Sequence, residues 1–238
     1  MRQKLTIIPA AGTATRMGTL PKFLLPTVDK ANNKENNSRV TTLLHKHIEY
    51  GLNFSDLVIL ATRPENSYLM KSYVVPNKVE LLVMETNSMA ETVIRVAEIC
   101  KSEENLILMP DSYFSNGFSA SDMALRKSET ASLGVWRILP EQIGSVGQIE
   151  FVTESEDQLF VSKHIDKDLN CKFKFLWGAM NISALGITML TESMPHVGYL
   201  ISKLLQENNS NSKIGVRLQN GDYIDCGSPL GYFSHLRR

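Results

Sequence analysis

Leu5-Thr-Ile-Ile-Pro-Ala-Ala-Gly-Thr-Ala-Thr-Arg-Met-Gly-Thr-Leu-Pro-Lys-Phe-Leu-Leu25 is the stretch around which the chain is organised. Leu5 to Ile8 bring apolar and β-branched residues together after a charged start, the pattern of a short buried strand. The chain then passes through Ala10, Ala11, Gly12, Thr13, Ala14 and Thr15. Small side chains let backbone N–H groups approach a ligand closely, and successive N–H groups form a concave site for anions. Two cations follow, Arg16 and Lys22. A strand, an amide-rich turn and two spaced cations suit a triphosphate.

Two common phosphate motifs do not fit. A P-loop places Lys-Ser or Lys-Thr after its last glycine, whereas Gly18 is followed by Thr19 and Leu20. A dinucleotide fingerprint needs glycine where Ala14 stands, and Pro21 leaves no room for the helix that should follow. A plain strand-to-loop turn with solvated cations is the remaining local alternative.

Around this stretch the composition is that of a globular protein. The 238 residues suffice for one large α/β domain, and 43% of them are hydrophobic. Lys plus Arg and Asp plus Glu each number 25, so no net field draws the chain to nucleic acid or an anionic membrane. No apolar run reaches the roughly 18 residues of a membrane-spanning helix, and the opening Met-Arg-Gln-Lys lacks the pattern of a cleavable signal. Cys100, Cys171 and Cys226 are odd in number and widely spaced, which argues against a disulfide framework or a zinc knuckle. A reduced, cytoplasmic setting is expected. Nothing in the sequence fixes an oligomeric state.

Beyond the first loop, strands and helices alternate. Asp29 to Ser38 is polar and asparagine-rich, a surface loop beside the ligand. Val40 to Tyr50 reads as a helix stopped by Gly51, and Asp56 to Ala61 as the second strand. Pro64 opens a short helix toward Tyr73, and Val79 to Met84 form the third strand. Asn87 or Ser88 caps a helix whose inner side carries Met89, Val93, Val96 and Ala97. Asn105 to Pro110 is a buried strand ending at Asp111, where open α/β sheets bind ligands. From Ala131 the pattern turns strand-rich: 131–139, 146–153, 159–165 and 173–183. Helical stretches at 184–192 and 197–207, a strand at 213–218, and Tyr223-Ile-Asp-Cys-Gly-Ser-Pro229 complete the order. That last string reads as a strand, a Gly-Ser-Pro turn and a terminal helix.

Three strings give these elements a common reading. Pro-Ala-Ala-Gly, then Thr-Arg-Met-Gly, then Leu-Pro-Lys-x-Leu-Leu-Pro resembles the signature of the nucleotidyltransferases that activate sugar 1-phosphates, such as glucose-1-phosphate thymidylyltransferase. Met109-Pro-Asp-Ser112 resembles that family's Gly-Asp-Asn segment, and Tyr223-Ile-Asp-Cys-Gly-Ser-Pro229 its Trp-x-Asp-x-Gly-Thr-Pro segment. The resemblance implies a Rossmann-like three-layer α/β/α fold, with a mixed, mostly parallel central sheet and a strand-rich acceptor half. One domain would span residues 1–238, with a nucleotide-binding half over about 1–130 and a sugar-phosphate half over about 131–238.

The site residues follow from the same resemblance. Ala10, Ala11, Gly12, Thr13, Ala14 and Thr15 would cradle the nucleotide, and Glu85 and Ser88 would lie near its base. Ser88 occupies the place of a family glycine. Arg16 and Lys22 would be the catalytic cations, with Mg²⁺ on Asp111 and Asp225. Gly147, Lys163 and Gly178 would face the acceptor, and Ser162 stands where the family has a sugar-gripping glutamate. The implied reaction joins a nucleoside triphosphate to a sugar 1-phosphate and releases pyrophosphate. A cytidylyltransferase acting on a non-sugar phosphate or phosphonate, and a non-catalytic binder of nucleotide sugars, are the alternatives.

Overall fold

The computed structural model describes residues 2–11, 21–29, 39–115, 118–155, 158–207 and 213–236. In chain order it begins with β1 (Arg2–Ala10), β2 (Pro26–Asp29), β3 (Arg39–Thr42), α1 (Leu43–Leu52) and β4 (Val58–Thr62). Then come α2 (Ser67–Met70), β5 (Val79–Val83), α3 (Met89–Cys100), β6 (Ser102–Leu108) and β7 (Ser112–Phe114). The strand-rich part holds β8 (Glu129–Arg137), β9 (Gly147–Ser155), β10 (Gln158–Asp166) and β11 (Phe175–Ser183). It is completed by α4 (Ala184–Met189), α5 (Tyr199–Glu207), β12 (Lys213–Leu218), β13 (Tyr223–Asp225) and α6 (Pro229–Leu236).

Nine strands form one mixed sheet in the order β5-β4-β1-β6-β11-β8-β12-β10-β9. The first four are parallel, as βαβ crossovers require, and β4 is buried along its whole length. Past β6 the character changes. β11 runs antiparallel to β6 and to β8, β12 is parallel to β8, and β10 and β9 are antiparallel. β9 also pairs with β11 through Phe175↔Ile149 and Leu176↔Gln148, so β11, β8, β12, β10 and β9 close into a ring of strands. The expected mixed sheet is present. Its parallel part is concentrated in β1, β4, β5 and β6, and β8 with β12 adds one further parallel pair.

Alternation along β1 sorts its side chains between two layers. Leu5 and Ile7 join Val93 and Val96 of α3 and Leu200 and Ile201 of α5. Ile8 and Ala10 join Leu44 and Ile48 of α1, together with Phe114, Trp136 and Tyr223. Each such fully buried aliphatic contributes about 1.5–3 kcal/mol. Ser88 caps α3 as expected, its Oγ accepting from Glu91 N–H at 3.0 Å.

Two local expectations are corrected. Val40 to Thr42 are strand, not helix: they pair with β2 in the register Thr27↔Thr41 and Val28↔Val40, and the helix starts at Leu43 with Thr42 as its cap. Gly51 lies inside α1 rather than stopping it. A Cβ there would come within 2.8 Å of Thr6 and 2.9 Å of Val58, so the glycine serves the approach of α1 to the sheet. Of the expected loop 29–38, Asp29 ends β2 and residues 30–38 lie outside the described residues. Among the described residues no helix is long and apolar enough to cross a membrane. The three cysteines are free thiols.

Candidate active site

β1 delivers Ala10 and Ala11, both buried, to the carboxyl edge of the parallel strands, with Ala10 in register with Thr62 of β4. Gly12, Thr13, Ala14, Thr15 and Arg16 lie outside the described residues. The chain is described again from Pro21, where Lys22–Leu24 form one turn of 3₁₀ helix. Phe23 buries its ring in the core beside Lys22, and Leu43 N–H at the start of α1 donates to Leu25 O at 3.1 Å. Lys22 therefore projects from a turn pinned on both sides.

Asp111 reaches the same edge from the end of β6, after a turn closed by Ser112 N–H donating to Met109 O at 3.1 Å. β7 then pairs antiparallel with β13, placing Asp225 opposite Ser112, and Cys226 N–H donates to Asp111 O at 2.8 Å. This small ladder brings the two carboxylates together. A Cβ built on Gly227 would lie 2.7 Å from Asp111 Oδ2, 2.7 Å from Asp225 Oδ1 and 3.4 Å from Lys22 Nζ. Gly227 N–H donates to Asp225 Oδ1 at 2.7 Å, and Lys22 Nζ lies 3.5 Å from Asp111 Oδ2. The neighbours register the local negative charge. Burial, and then the Asp225 and Asp111 carboxylates, push the Cys226 thiol far above its ordinary value. Burial followed by Asp225 does the same to the Tyr223 phenol, whose oxygen lies 3.2 Å from Ser112 Oγ. Both groups stay neutral.

The donor set suits a hard divalent cation. Two carboxylate oxygens face one small space that only a glycine leaves open, and among the described residues no third His, Cys, Asp or Glu completes a protein-only cage. Magnesium keeps water and substrate oxygens in its shell and uses one or two carboxylates, so the residues present fit it.

The turn after β5, expected to lie near the base of a nucleotide, shares this edge. Glu85 is exposed and its carbonyl accepts from Arg95 Nη1 at 3.2 Å. Asn87 N–H donates to Glu91 Oε2 at 2.7 Å, which holds the turn against the start of α3. Ser88 Oγ, besides capping α3, donates to Glu192 O at 3.0 Å, and Met89 N–H donates to Pro195 O at 3.2 Å. The hydroxyl of Ser88 thus ties the start of α3 to the segment before α5.

The residues expected to face an acceptor divide. Gly178 sits at an irregularity of β11, and a Cβ there would lie 2.3 Å from the Tyr223 ring, two residues before Asp225. It belongs to the packing beneath the carboxylates. At Gly147 the corresponding space is taken by Trp177, whose Nε1 is 2.3 Å from the Cβ position. Lys163 is exposed on β10, paired with Glu150 at 2.8 Å and 5.9 Å above the Phe173 ring. Among the described residues no hydrogen bond or ion pair joins it to Lys22, Asp111 or Asp225. Gly227 was missed by sequence reasoning. The spacing Asp-x-Gly, in which a backbone N–H folds back onto the carboxylate two residues earlier, was the available signal.

No family model matches the chain, and no curated protein matches it. Solved structures do. A UDP-glucose pyrophosphorylase complexed with UDP-glucose superposes with a TM-score of 0.76 at 14% identity, over 100% of this chain and 98% of that one. UDP-glucose pyrophosphorylase from Acinetobacter baumannii gives 0.71 at 16% identity, over 99% and 92%. The inositol-1-phosphate CTP transferase from T. maritima gives 0.70 at 13% identity, over 100% and 95%. At such identities the likeness is one of fold, and it extends over essentially the whole chain.

Proposed function

We propose that the chain is a nucleotidyltransferase that moves a nucleoside monophosphate from a nucleoside triphosphate to a sugar 1-phosphate, releasing pyrophosphate. The observation that carries this reading is the convergence of Asp111 and Asp225 on one point beside Lys22. It lies at the carboxyl edge of a sheet whose fold is shared with UDP-glucose pyrophosphorylase.

In this reading a phosphate oxygen of the acceptor attacks the α-phosphorus in line. The new P–O bond forms as the bond to the bridging oxygen breaks, and the electron pair leaves with pyrophosphate. The attacking phosphate is already ionised, so no general base is needed. Catalysis rests on positioning and on neutralising charge. Lys22 would contact the α-phosphate, its ammonium held only loosely by Asp111 at 3.5 Å. Arg16 would stabilise the departing β- and γ-phosphates. Lys163 would hold the acceptor phosphate, exchanging Glu150 for it. Asp111 and Asp225 would hold Mg²⁺, which when bound supplies positive charge to the phosphate oxygens.

Transfer to a non-sugar alcohol phosphate is the second reading. It is favoured by Ser162, which lacks the carboxylate expected for gripping a sugar, and by the fold shared with an inositol-1-phosphate CTP transferase. A purely binding role has less support, because both carboxylates and Lys22 are present and converge. The test is pyrophosphate release with Mg²⁺, over a matrix of the common nucleoside triphosphates against sugar 1-phosphates, inositol 1-phosphate and simple alcohol phosphates. Release that depends on one pair supports transfer and names both substrates. Nucleotide binding without release from any pair would defeat it.

A further inference from the structure

Asp225 is carried by β13, a strand of three residues that lies outside the nine-stranded sheet. Pairing with β7 fixes one of its edges. Ser115 N–H donates to Asp222 O at 2.9 Å and Cys226 N–H to Asp111 O at 2.8 Å, so residues 222, 224 and 226 bond toward β7 in this antiparallel ladder. Tyr223 and Asp225 therefore turn their backbone groups to the opposite edge, where no other strand pairs with β13 among the described residues. There α6 covers Asp225 O so closely that a Cβ on Gly231 would overlap it. Tyr223 O is met instead by a side chain. The Gln142 amide reaches it across 81 residues of sequence, Nε2 donating at 2.6 Å.

Gln142 is itself held on every side. It is buried, and its Oε1 accepts from Leu139 N–H at 2.9 Å. Both amide partners are backbone groups of fixed polarity, so the amide has one orientation that satisfies them. Its backbone is tied into the same turn. Gln142 N–H donates to Leu139 O at 2.9 Å, and Gln142 O accepts from Ser145 N–H at 2.9 Å and from Ser145 Oγ at 2.8 Å. A buried side chain with its amide and backbone both fixed sets the position of its partner rather than adapting to it. The Tyr223 ring completes the hold on β13, packed 5.6 Å from that of Trp136.

We propose that Gln142 is a positioning residue for the candidate metal site, clamping β13 so that Asp225 stands at the right separation from Asp111. This rests on the reading above, in which the two carboxylates hold a divalent cation. Asp225 lies two residues beyond the clamped carbonyl, on the same face of β13 as the Tyr223 ring. The site leaves little tolerance. Asp111 Oδ2 and Asp225 Oδ1 each lie 2.7 Å from the Cβ position of Gly227, and Mg²⁺ demands near-ideal octahedral geometry. Without the amide, the Tyr223 carbonyl loses its partner at the unpaired edge, and β13 must shift or admit water to satisfy it. Among the described residues no hydrogen bond joins Gln142 to either carboxylate, so it acts through β13.

The test compares wild type with Gln142→Met, which keeps the side-chain length but neither amide bond, and with Ile59→Val, a control that loosens the core away from β13. Mn²⁺ affinity by paramagnetic resonance, the Mg²⁺ requirement of pyrophosphate release, amide exchange and thermal melts are measured. In Gln142→Met the Mn²⁺ dissociation constant and the half-saturating Mg²⁺ should each rise about tenfold, with the triphosphate KM at saturating Mg²⁺ within about twofold of wild type. Exchange should quicken over residues 223–227 and stay at the wild-type rate in β4. Ile59→Val should lower the melting temperature without moving the metal affinity. Unchanged Mn²⁺ affinity in Gln142→Met, or an equal loss in Ile59→Val, overturns the proposal. If Gln142→Met lacks a cooperative melt, Gln142→Glu, whose carboxylate keeps an acceptor for Leu139 N–H, is judged by the same Mn²⁺ criterion. If wild type releases no pyrophosphate, the transfer reading falls and Mn²⁺ decides alone. Binding that weakens in the Gln142 variant sustains the clamp, and no binding to wild type removes it.

Discussion

Asp111 Oδ2 and Asp225 Oδ1 stand at the same distance, 2.7 Å, from the point where a side chain on Gly227 would begin. The backbone at Gly227 is not in the left-handed region, so the requirement for glycine there is one of space rather than of φ. Gly227→Ala would force the carboxylates apart. Mg²⁺-dependent pyrophosphate release is expected to fall about a hundredfold, with the melting temperature changed by only about 4 °C. Steady-state rates at several Mg²⁺ concentrations and a thermal melt check this, and wild-type turnover would contradict it.

Replacing one carboxylate by its amide should separate charge from shape. Asp111→Asn and Asp225→Asn are each expected to lower turnover by about a thousandfold while leaving circular dichroism unchanged. Because each removes one of two neighbouring negative charges, neither should destabilise the fold strongly. Lys22→Ala acts in the opposite electrostatic sense, leaving the pair less compensated, and should cost about a hundredfold or more in rate. Comparable activity of all three with wild type would relocate the reaction centre.

Burial lowers the His47 imidazole from 6.5 to about 4, although the nearby Leu43 and Met109 carbonyls favour the charged ring and oppose the shift. Its Nδ1–H donates to Leu43 O at 2.7 Å, and its ring packs 5.6 Å from that of Phe114. Between pH 6.5 and 4 the unfolded chain binds a proton that the folded chain refuses. Stability from this group is therefore complete above about pH 6.5 and declines as pH falls toward 4, by about 3 kcal/mol in all. Urea melts at pH 7, 5 and 4 should show this decline in wild type and less of it in His47→Leu. Parallel pH profiles for the two proteins would count against it.

Arg217 on β12 and Glu129 on β8 form an ion pair whose side chains are 6% and 1% exposed. Arg217 also donates to Asp122 O at 2.9 Å and Ala124 O at 3.0 Å, and Glu129 accepts from Arg126 N–H at 2.8 Å. Arg217→Met would strand a buried carboxylate and should cost about 3–5 kcal/mol, while Arg217→Met with Glu129→Leu should recover much of that. A double-mutant cycle by denaturant unfolding measures the coupling. Additive losses would show that the pair acts through packing alone.

Features set by local chemistry could be read directly. The strand expected over Asp56–Ala61, the cap expected at Asn87 or Ser88, and Pro229 at the first turn of the terminal helix each act within one element. Local chemistry suffices for such features. Lys22, Asp111 and Asp225 were named from the resemblance of their strings to one family's motifs, and the structure brings these three together. Lys163 was named on the same grounds, yet its ammonium is engaged by Glu150.

Long-range pairing decided the rest. Val40 to Thr42 carry a helix-compatible pattern, but bonding to Pro26–Val28 holds them extended, because ladder hydrogen bonds outweigh a weak local propensity. Gly147 and Gly178 were named in the sequence as facing the acceptor, and Gly198 was not named at all. Only the closed ring of strands shows that Trp177 and Tyr223 occupy the spaces beside them. The amino-acid order alone determined the strand–helix succession and the charged groups available for chemistry. The tertiary structure decided which of those groups meet, because the β7–β13 ladder and the packing of buried rings join residues that no local interaction connects.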